Sequence, residues 1–142
     1  MSRHASARAD HAFYVEAVRR GIEEHDVRVA DVQLVVARDG RREATLVLRP
    51  DAEAYLERVP EEASASWDED NGWSVLVRQG SLVNQVCKGL GVLPDPEDVA
   101  AWVVVLLAHP ELTPSDEQHP YRDHAVVDPE FEDELARYAP GH

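Results

Sequence analysis

Two pairs of alternating apolar runs, each folded about a short polar turn that carries a glycine, constrain this chain more than any other feature. Val27 to Ala37 and Arg42 to Leu48 are rich in β-branched residues and flank Arg38-Asp39-Gly40-Arg41, a strong hairpin signal. Face matching then selects the register. A two-residue loop at Asp39-Gly40 would pair Gln33 with Leu46 and mix faces. A three-residue loop, Arg38-Asp39-Gly40, with Gly40 in the left-handed conformation of a bulge, pairs Leu34 with Ala44 and Val32 with Leu46. The second hairpin matches Ala63, Ala65 and Trp67 with Trp73, Val75 and Val77 across Asp68-Glu69-Asp70-Asn71-Gly72, so both Trp side chains project from one face.

Helical periodicity surrounds these hairpins. Asp10 is the expected N-cap of a helix over about 11–25, with Phe13, Tyr14, Ala17, Val18, Gly21 and Ile22 on one stripe. Residues 52–59 can form a short helix that Pro60 ends. Residues 80–94 have no clear period and read as a loop with one short strand or helix. Asp95-Pro96-Glu97-Asp98 starts a helix over 96–108, apolar on nearly every side and expected to be the most buried element. Asp128-Pro129 caps a last helix over 129–138, with Phe131, Leu135 and Tyr138 as its sparse stripe. The order α-β-β-(α)-β-β-α-α lacks the alternation of parallel sheets. It predicts an α+β fold: an antiparallel sheet of about four strands from two hairpins, with helices mainly on one face.

The 142 residues suffice for one apolar core without disulfides or metals. Residues 1–9 read as a disordered leader, 10–108 as a single α+β domain, and 109–142 as an acidic, Pro-rich C-terminal extension. A lone Cys87 and a start without an apolar signal region make a reducing, bacterial-type cytoplasm the default compartment. The longest apolar run, Val99 to Ala108, has ten residues, against the ~20 that a membrane span needs. The net charge of −14 is uneven, because residues 51–142 hold twenty of the 28 acids. Such a surface repels nucleic acid and anionic lipid and favours basic partners.

Trp67-Asp68-Glu69-Asp70-Asn71-Gly72-Trp73, the helix start Leu93-Pro94-Asp95-Pro96-Glu97-Asp98-Val99-Ala100 and the helix holding Phe13-Tyr14-Val15 together resemble a family of short actinobacterial proteins known only as a domain of unknown function. The likeness covers roughly residues 11–108. It implies an actinobacterial source, in keeping with thirteen Arg against one Lys, and a single domain, and it carries over no catalytic residue.

Candidate chemistry is sparse. Asp68, Asp70 and Asn71 set oxygen ligands at alternate positions, as calcium loops do. Counted from Asp68, however, positions six and twelve are Trp73 and Gln79 where an EF-hand needs Gly and Glu. The segment therefore reads as a tight turn, with weak cation binding, or acid–base catalysis by Asp68, Glu69 or Asp70, as alternatives. Trp67 and Trp73 read as core, with a small-molecule platform flanked by Asp68 and Asp70 as the alternative. His109, His119 and His124, with Asp116, Glu117 and Asp123, lack metal-ligand spacing and read as a solvated tail. Gly89-Leu90-Gly91 is too short for a phosphate loop. Ser64, Ser66, Ser74 and Ser81 sit in no nucleophile elbow, and Cys87 has no nearby His.

The one positive concentration is Arg38, Arg41 and Arg42 at the first hairpin tip with Arg19 and Arg20 on the first helix, a candidate grip for an oxyanion or acidic partner. No helix-turn-helix, RNP-type or zinc pattern accompanies it. The sequence thus yields no catalytic residue, metal site or cofactor. Its leading functional expectation is a non-enzymatic regulatory or adaptor module that contacts another protein through a sheet face or edge, with a homodimer as one form. A small-ligand sensor near Trp67 and Trp73, and an enzyme using the acidic turn, are the rivals.

Overall fold

A computed structural model describes residues 9–50, 62–79, 82–87, 91–108 and 121–140. The elements are α1 (Ala12–Glu23), β1 (Val27–Val36), β2 (Arg42–Pro50), β3 (Glu62–Asp68), β4 (Gly72–Gln79), β5 (Leu82–Cys87), α2 (Pro96–Ala108) and α3 (Pro129–Ala136). The helix expected over 52–59 lies outside the described residues, as does the leader up to residue 8.

All five strands form one antiparallel sheet in the order β1-β2-β3-β4-β5. The α+β class expected from the sequence stands, and β5 adds a strand to the four from the two hairpins. Its stretch, Leu82 to Cys87, has no clean alternation. It becomes a strand because β4 offers it an edge, with Val86 opposite Val75 and Leu82 opposite Gln79.

Both hairpin registers follow face matching. Leu34 pairs with Ala44 and Val32 with Leu46. Gly40 N–H donates to Ala37 O (2.8 Å), Ala37 N–H donates to Arg41 O (2.9 Å), and Gly40 has φ 93°. The loop is therefore the three residues Arg38-Asp39-Gly40, and the left-handed third position explains the glycine. In the second hairpin Trp67 pairs with Trp73, Ala65 with Val75 and Ala63 with Val77. Pairing continues to Asp68–Gly72, which shortens that loop to Glu69-Asp70-Asn71. β1 also carries a bulge at Ala30, where the register slips between Val29 and Asp31.

One face of the sheet holds the core. Ala44, Leu46 and Leu48 of β2, Ala63, Ala65 and Trp67 of β3, and Trp73, Val75 and Val77 of β4 are all buried, while Thr45, Val47, Ser64 and Ser66 between them are half-buried on the other face. Period-2 alternation on strands backed by helices on one side requires this.

Against that face α1 buries Tyr14, Val15, Val18 and Ile22. The apolar stripe is thus rotated from the expected one: Val15 is fully buried and Phe13 is 38% exposed. The N-cap is His11 instead of Asp10. Asp10 Oδ1 still accepts Ala12 N–H (2.9 Å), but His11 points inward, donates Nε2–H to Glu43 O (2.9 Å) and stacks on Trp67. α2 crosses α1 closely at Gly21, where a Cβ would lie 3.1 Å from that of Ala100. Asp95 Oδ1 accepts Glu97 N–H (2.9 Å) at its start. α2 buries Val99, Ala100, Val103, Leu106 and Leu107. It is not enclosed on all sides as expected, because Ala101 and Val105 are exposed on the outer side of a two-layer packing.

α3 returns to the same core. Asp128 caps it by accepting Phe131 N–H (3.2 Å), Phe131 and Leu135 are buried, and Tyr138 lies edge-on to Tyr14 with ring centroids 5.0 Å apart. Among the described residues no helix is long and apolar enough to cross a membrane.

Candidate functional site

The acidic turn between β3 and β4 divides its labour. Asp68 Oδ1 accepts the N–H groups of Asp70 (2.9 Å) and Asn71 (2.8 Å), an Asx-type arrangement that locks the turn. Glu69 has no exposed surface and Asp70 is 7% exposed. Glu69 receives the Arg42 side chain at 3.0 and 2.8 Å, the Arg42 N–H at 2.7 Å and Arg122 Nη1 at 2.7 Å. Burial alone would raise the Glu69 carboxyl. The bonds from Arg42 and Arg122 overcome burial and hold it at about 2.

The cations of this cluster are held by several groups each, Arg42 through all three of its nitrogens and Arg122 through Nη1. Arg42 Nη1 also donates to Ala9 O (2.7 Å) and to Glu132 Oε1 (2.9 Å) on α3. Arg122 lies over the Phe131 ring at 3.9 Å, a cation–π contact in a desolvated setting. Tyr121 N–H donates to Asp70 O (2.7 Å), and His124 Nδ1 lies 2.6 Å from Asp70 Oδ2. This hydrogen bond raises the His124 pKa. A carboxylate so acidic and so enclosed gives acid–base catalysis at Glu69 no support.

The five candidate partner-binding arginines do not form one surface. Arg42 leaves the set, being 3% exposed within the cluster. Arg19 is engaged by Glu16 and Glu23 along α1, and Arg20, more exposed, also reaches Glu16. Arg41 pairs with Glu43 (2.9 Å). Arg38 is exposed at the tip. Of the histidine-rich stretch, His109, His119, Asp116 and Glu117 lie outside the described residues. His124 is not solvated as expected, since its side chain is only 15% exposed between Asp70 and Asp39.

Trp67 and Trp73 are core residues. Their N–H groups are spent internally, Trp67 Nε1 on Val92 O (2.6 Å) and Trp73 Nε1 on the Tyr14 hydroxyl (3.1 Å), and that hydroxyl in turn donates to Pro94 O (2.7 Å). Neither indole presents a face to solvent.

The surface the sequence did not single out is the edge of β1, which among the described residues pairs with β2 alone. Leu34, Val35 and Val36 are 43%, 48% and 59% exposed at the end of a ten-residue edge strand. Exposed Val126 and Val127 follow His124, whose Nε2 lies 3.4 Å from Asp39 Oδ2 of the β1–β2 loop. A signal for the edge was available. Three consecutive apolar residues on a strand must occupy both faces: Val35 lies on the face away from the helices, while Leu34 and Val36, opposite Ala44 and Arg42, share the helix side and are still exposed at this end of the edge strand. Arg122 and Glu132, by contrast, carry no local signal, because their partners lie 53 and 90 residues away.

No curated protein and no solved structure matches the chain. The model of one family matches residues 14–105, from the first turn of α1 nearly to the end of α2. The chain belongs to that family, DUF6292, a family of unknown function.

Proposed function

We propose that this domain is a non-enzymatic protein-interaction module of regulatory or adaptor type, working by strand addition at the edge of β1. The observation that carries the reading is the run Val32-Gln33-Leu34-Val35-Val36. It ends an edge strand, bears no charge and exposes three large apolar side chains. Edges of this kind template pairing with another strand, and proteins that remain alone blunt them with charge, proline or bulges. Here the bulge at Ala30 and the charges at Arg28 and Asp31 protect only the first half of the strand.

The simplest partner is a second copy. Antiparallel pairing centred on Leu34 sets Val32 opposite Val36 and Gln33 opposite Val35, an isologous contact without facing like charges. The −14 charge of each protomer opposes association, so pairing strengthens with salt. Light scattering after gel filtration at 20–200 µM tests it. A mass near twice 15.9 kDa, reduced to one copy by Leu34→Lys/Val36→Lys with an unchanged melting curve, supports the reading. A single copy at every concentration and salt, together with no difference between the two proteins in hydrogen exchange along β1, sinks it.

A further inference from the structure

The face of the sheet away from the helices holds a depression of about 220 Å³, lined by Glu43, Thr45, Ser66, Asp68, Gly72 and Ser74. It exists because the strands put small groups side by side. Thr45 pairs with Ser66 and Ser66 with Ser74, while Glu43 pairs with Asp68 and Asp68 with Gly72. Three hydroxyls thus run across β2, β3 and β4 beside a row of two carboxylates and a residue without a side chain. Ala44 and Trp67 also border it. Their side chains belong to the core, so they offer backbone alone.

Several acceptors in this depression are unspent. Ser74 is 8% exposed, and its hydroxyl has no hydrogen-bond partner among the described residues. Thr45 and Ser66 hydroxyls are 3.5 Å apart, at the limit of a bond. Arg41 takes Glu43 Oε2 and leaves Oε1 free of bonds among the described residues. Asp68 is more engaged, since Oδ1 holds the turn and Oδ2 accepts Asn71 Nδ2 at 3.1 Å. Two carboxylates directly opposite across a strand pair repel one another, and the Ser74 hydroxyl opens into the depression, where a donor can reach it. Both features suit one kind of ligand, a cation that carries several N–H donors.

We infer that this depression binds a small organic cation bearing a guanidinium or primary ammonium group, with Glu43 and Asp68 facing the charge and the Ser74, Ser66 and Thr45 hydroxyls accepting from its N–H groups. The volume sets the size class, lying below the ~300–1,000 Å³ of drug-sized ligand sites. The donor set separates this ligand from a hard metal ion. Calcium takes about six to eight oxygens as direct ligands, whereas this depression offers one open carboxylate oxygen on Glu43 and neutral hydroxyls, and Asp68, with both oxygens engaged by the turn, contributes its charge and not a ligand. A planar guanidinium matches a carboxylate edge bidentately. The inference stands on residues separate from the edge of β1.

Agmatine, which carries a guanidinium at one end and an ammonium at the other, is the probe, titrated into the ¹⁵N-labelled full chain and followed by amide chemical shifts. Saturating shifts at Glu43, Thr45, Ser66 and Ser74 are expected, with putrescine acting at the same amides and neutral 1,5-pentanediol leaving them still. Glu43→Gln weakens agmatine at least tenfold and Ser74→Ala at least threefold, whereas Asp31→Asn, an exposed acid elsewhere, leaves its affinity unchanged. The spectrum reports in the same experiment that each variant is folded. Three results overturn the inference: no saturation by 10 mM agmatine, shifts spread over the acidic surface that ignore Glu43→Gln, or calcium saturating these amides at lower concentration than agmatine.

Discussion

The two hairpin tips at one end of the sheet are built alike and live differently. Each has a three-residue loop with a left-handed glycine, Gly40 as the last loop residue of the first and Gly72 as the first strand residue after the second, with φ 93° and 81°. Each carries acids and ends a strand pair of matching alternation. Yet the Asp39 side chain is 56% exposed, while Glu69 has no exposed surface. What separates them is the segment 121–140, which lands on the second tip with Arg122, His124 and Phe131, reaches the Asp39 loop of the first through His124, and takes Arg42, at the base of the first, into the buried cluster through Glu132. Turn geometry is a local property of sequence. The environment of the turn is set by residues that arrive from far along the chain.

The largest effect is expected from removing the cation that the first hairpin lends to the buried second loop, Arg42, against the cation left at the exposed tip, Arg38. Arg42→Met takes the guanidinium from Glu69, which keeps the backbone N–H of residue 42 and Arg122, and strips Glu132 of its Arg42 bonds, in a site where both Arg42 and Glu69 are under 4% exposed. Removing one member of a buried pair lowers stability by about 3–5 kcal/mol, because the partner's charge stays buried. Arg38→Ala at the exposed tip shifts stability by no more than about 0.5 kcal/mol. Urea denaturation of the two variants measures the difference directly. Equal midpoints would mean that the second tip is solvated in solution and that the segment 121–140 does not stay docked.

Acid resolves the same contrast at the level of one proton. The folded Glu69 carboxyl, held at about 2 against an ordinary value of 4.5, binds protons less readily than in the unfolded chain. Its contribution is therefore present above about pH 4.5 and is lost as pH falls towards 2. A shift of that size corresponds to about 3 kcal/mol. Stability measured by urea at pH 5, 4, 3 and 2 falls along this limb, and Glu69→Gln, already less stable at pH 5, flattens it. Asp39 is also shifted down, chiefly by the Arg41 N–H that its carboxylate accepts. It is open to water, so Asp39→Asn leaves the slope unchanged.

These outcomes bear on how much the sequence could disclose. The pairings Val32–Leu46 and Trp67–Trp73, and the starts of α2 and α3, were legible because each rests on residues close together in the chain, fourteen positions apart at most: an alternation, a glycine, an Asp-Pro cap. The N-cap of α1 was misplaced by one residue because His11 is drawn inward by Glu43 and Trp67, 32 and 56 positions away. β5 was legible only as one short strand or helix somewhere in 80–94, because pairing with β4, not its own alternation, makes it a strand. The cluster of Arg42, Glu69, Arg122 and Glu132 was illegible for the same reason. Read locally, Arg42 is one more basic residue at a polar tip, and only its partners on β3–β4 and α3 bury it. The exposed edge at Leu34 to Val36 was half legible: the strand could be read, but how far the helices cover its end could not.

A glycine exchange in each tip compares the loops themselves. Both positions have positive φ, so alanine is strained at either by about 1–2 kcal/mol. At Gly72 a Cβ would also meet the backbone oxygen of Gly91 at 2.6 Å, an overpacking that adds about 1–3 kcal/mol. Gly72→Ala is therefore the more damaging of the two, and thermal melts of the pair read the gap. If Gly40→Ala were equally destabilising, the contact with Gly91 would have to relax without loss, and the second loop would be no more confined than the first.

The smallest expected effect belongs to the residue that touches both tips. His124 donates to Asp70 and faces Asp39, and the bond to Asp70 raises its pKa above the ordinary 6.5. The folded chain therefore holds this proton more firmly than the unfolded one. The resulting stabilisation is fully present below pH 6.5 and fades as pH rises through the folded pKa. NMR titration of the His124 ring follows it directly. Asp70→Asn removes the principal cause and brings the midpoint back towards 6.5, whereas Asp39→Asn lowers it less, because that carboxylate is farther away and more exposed. A larger drop from Asp39→Asn would reverse the ranking of the two tips, placing the stronger hold on the segment 121–140 at the exposed hairpin and not at the buried one.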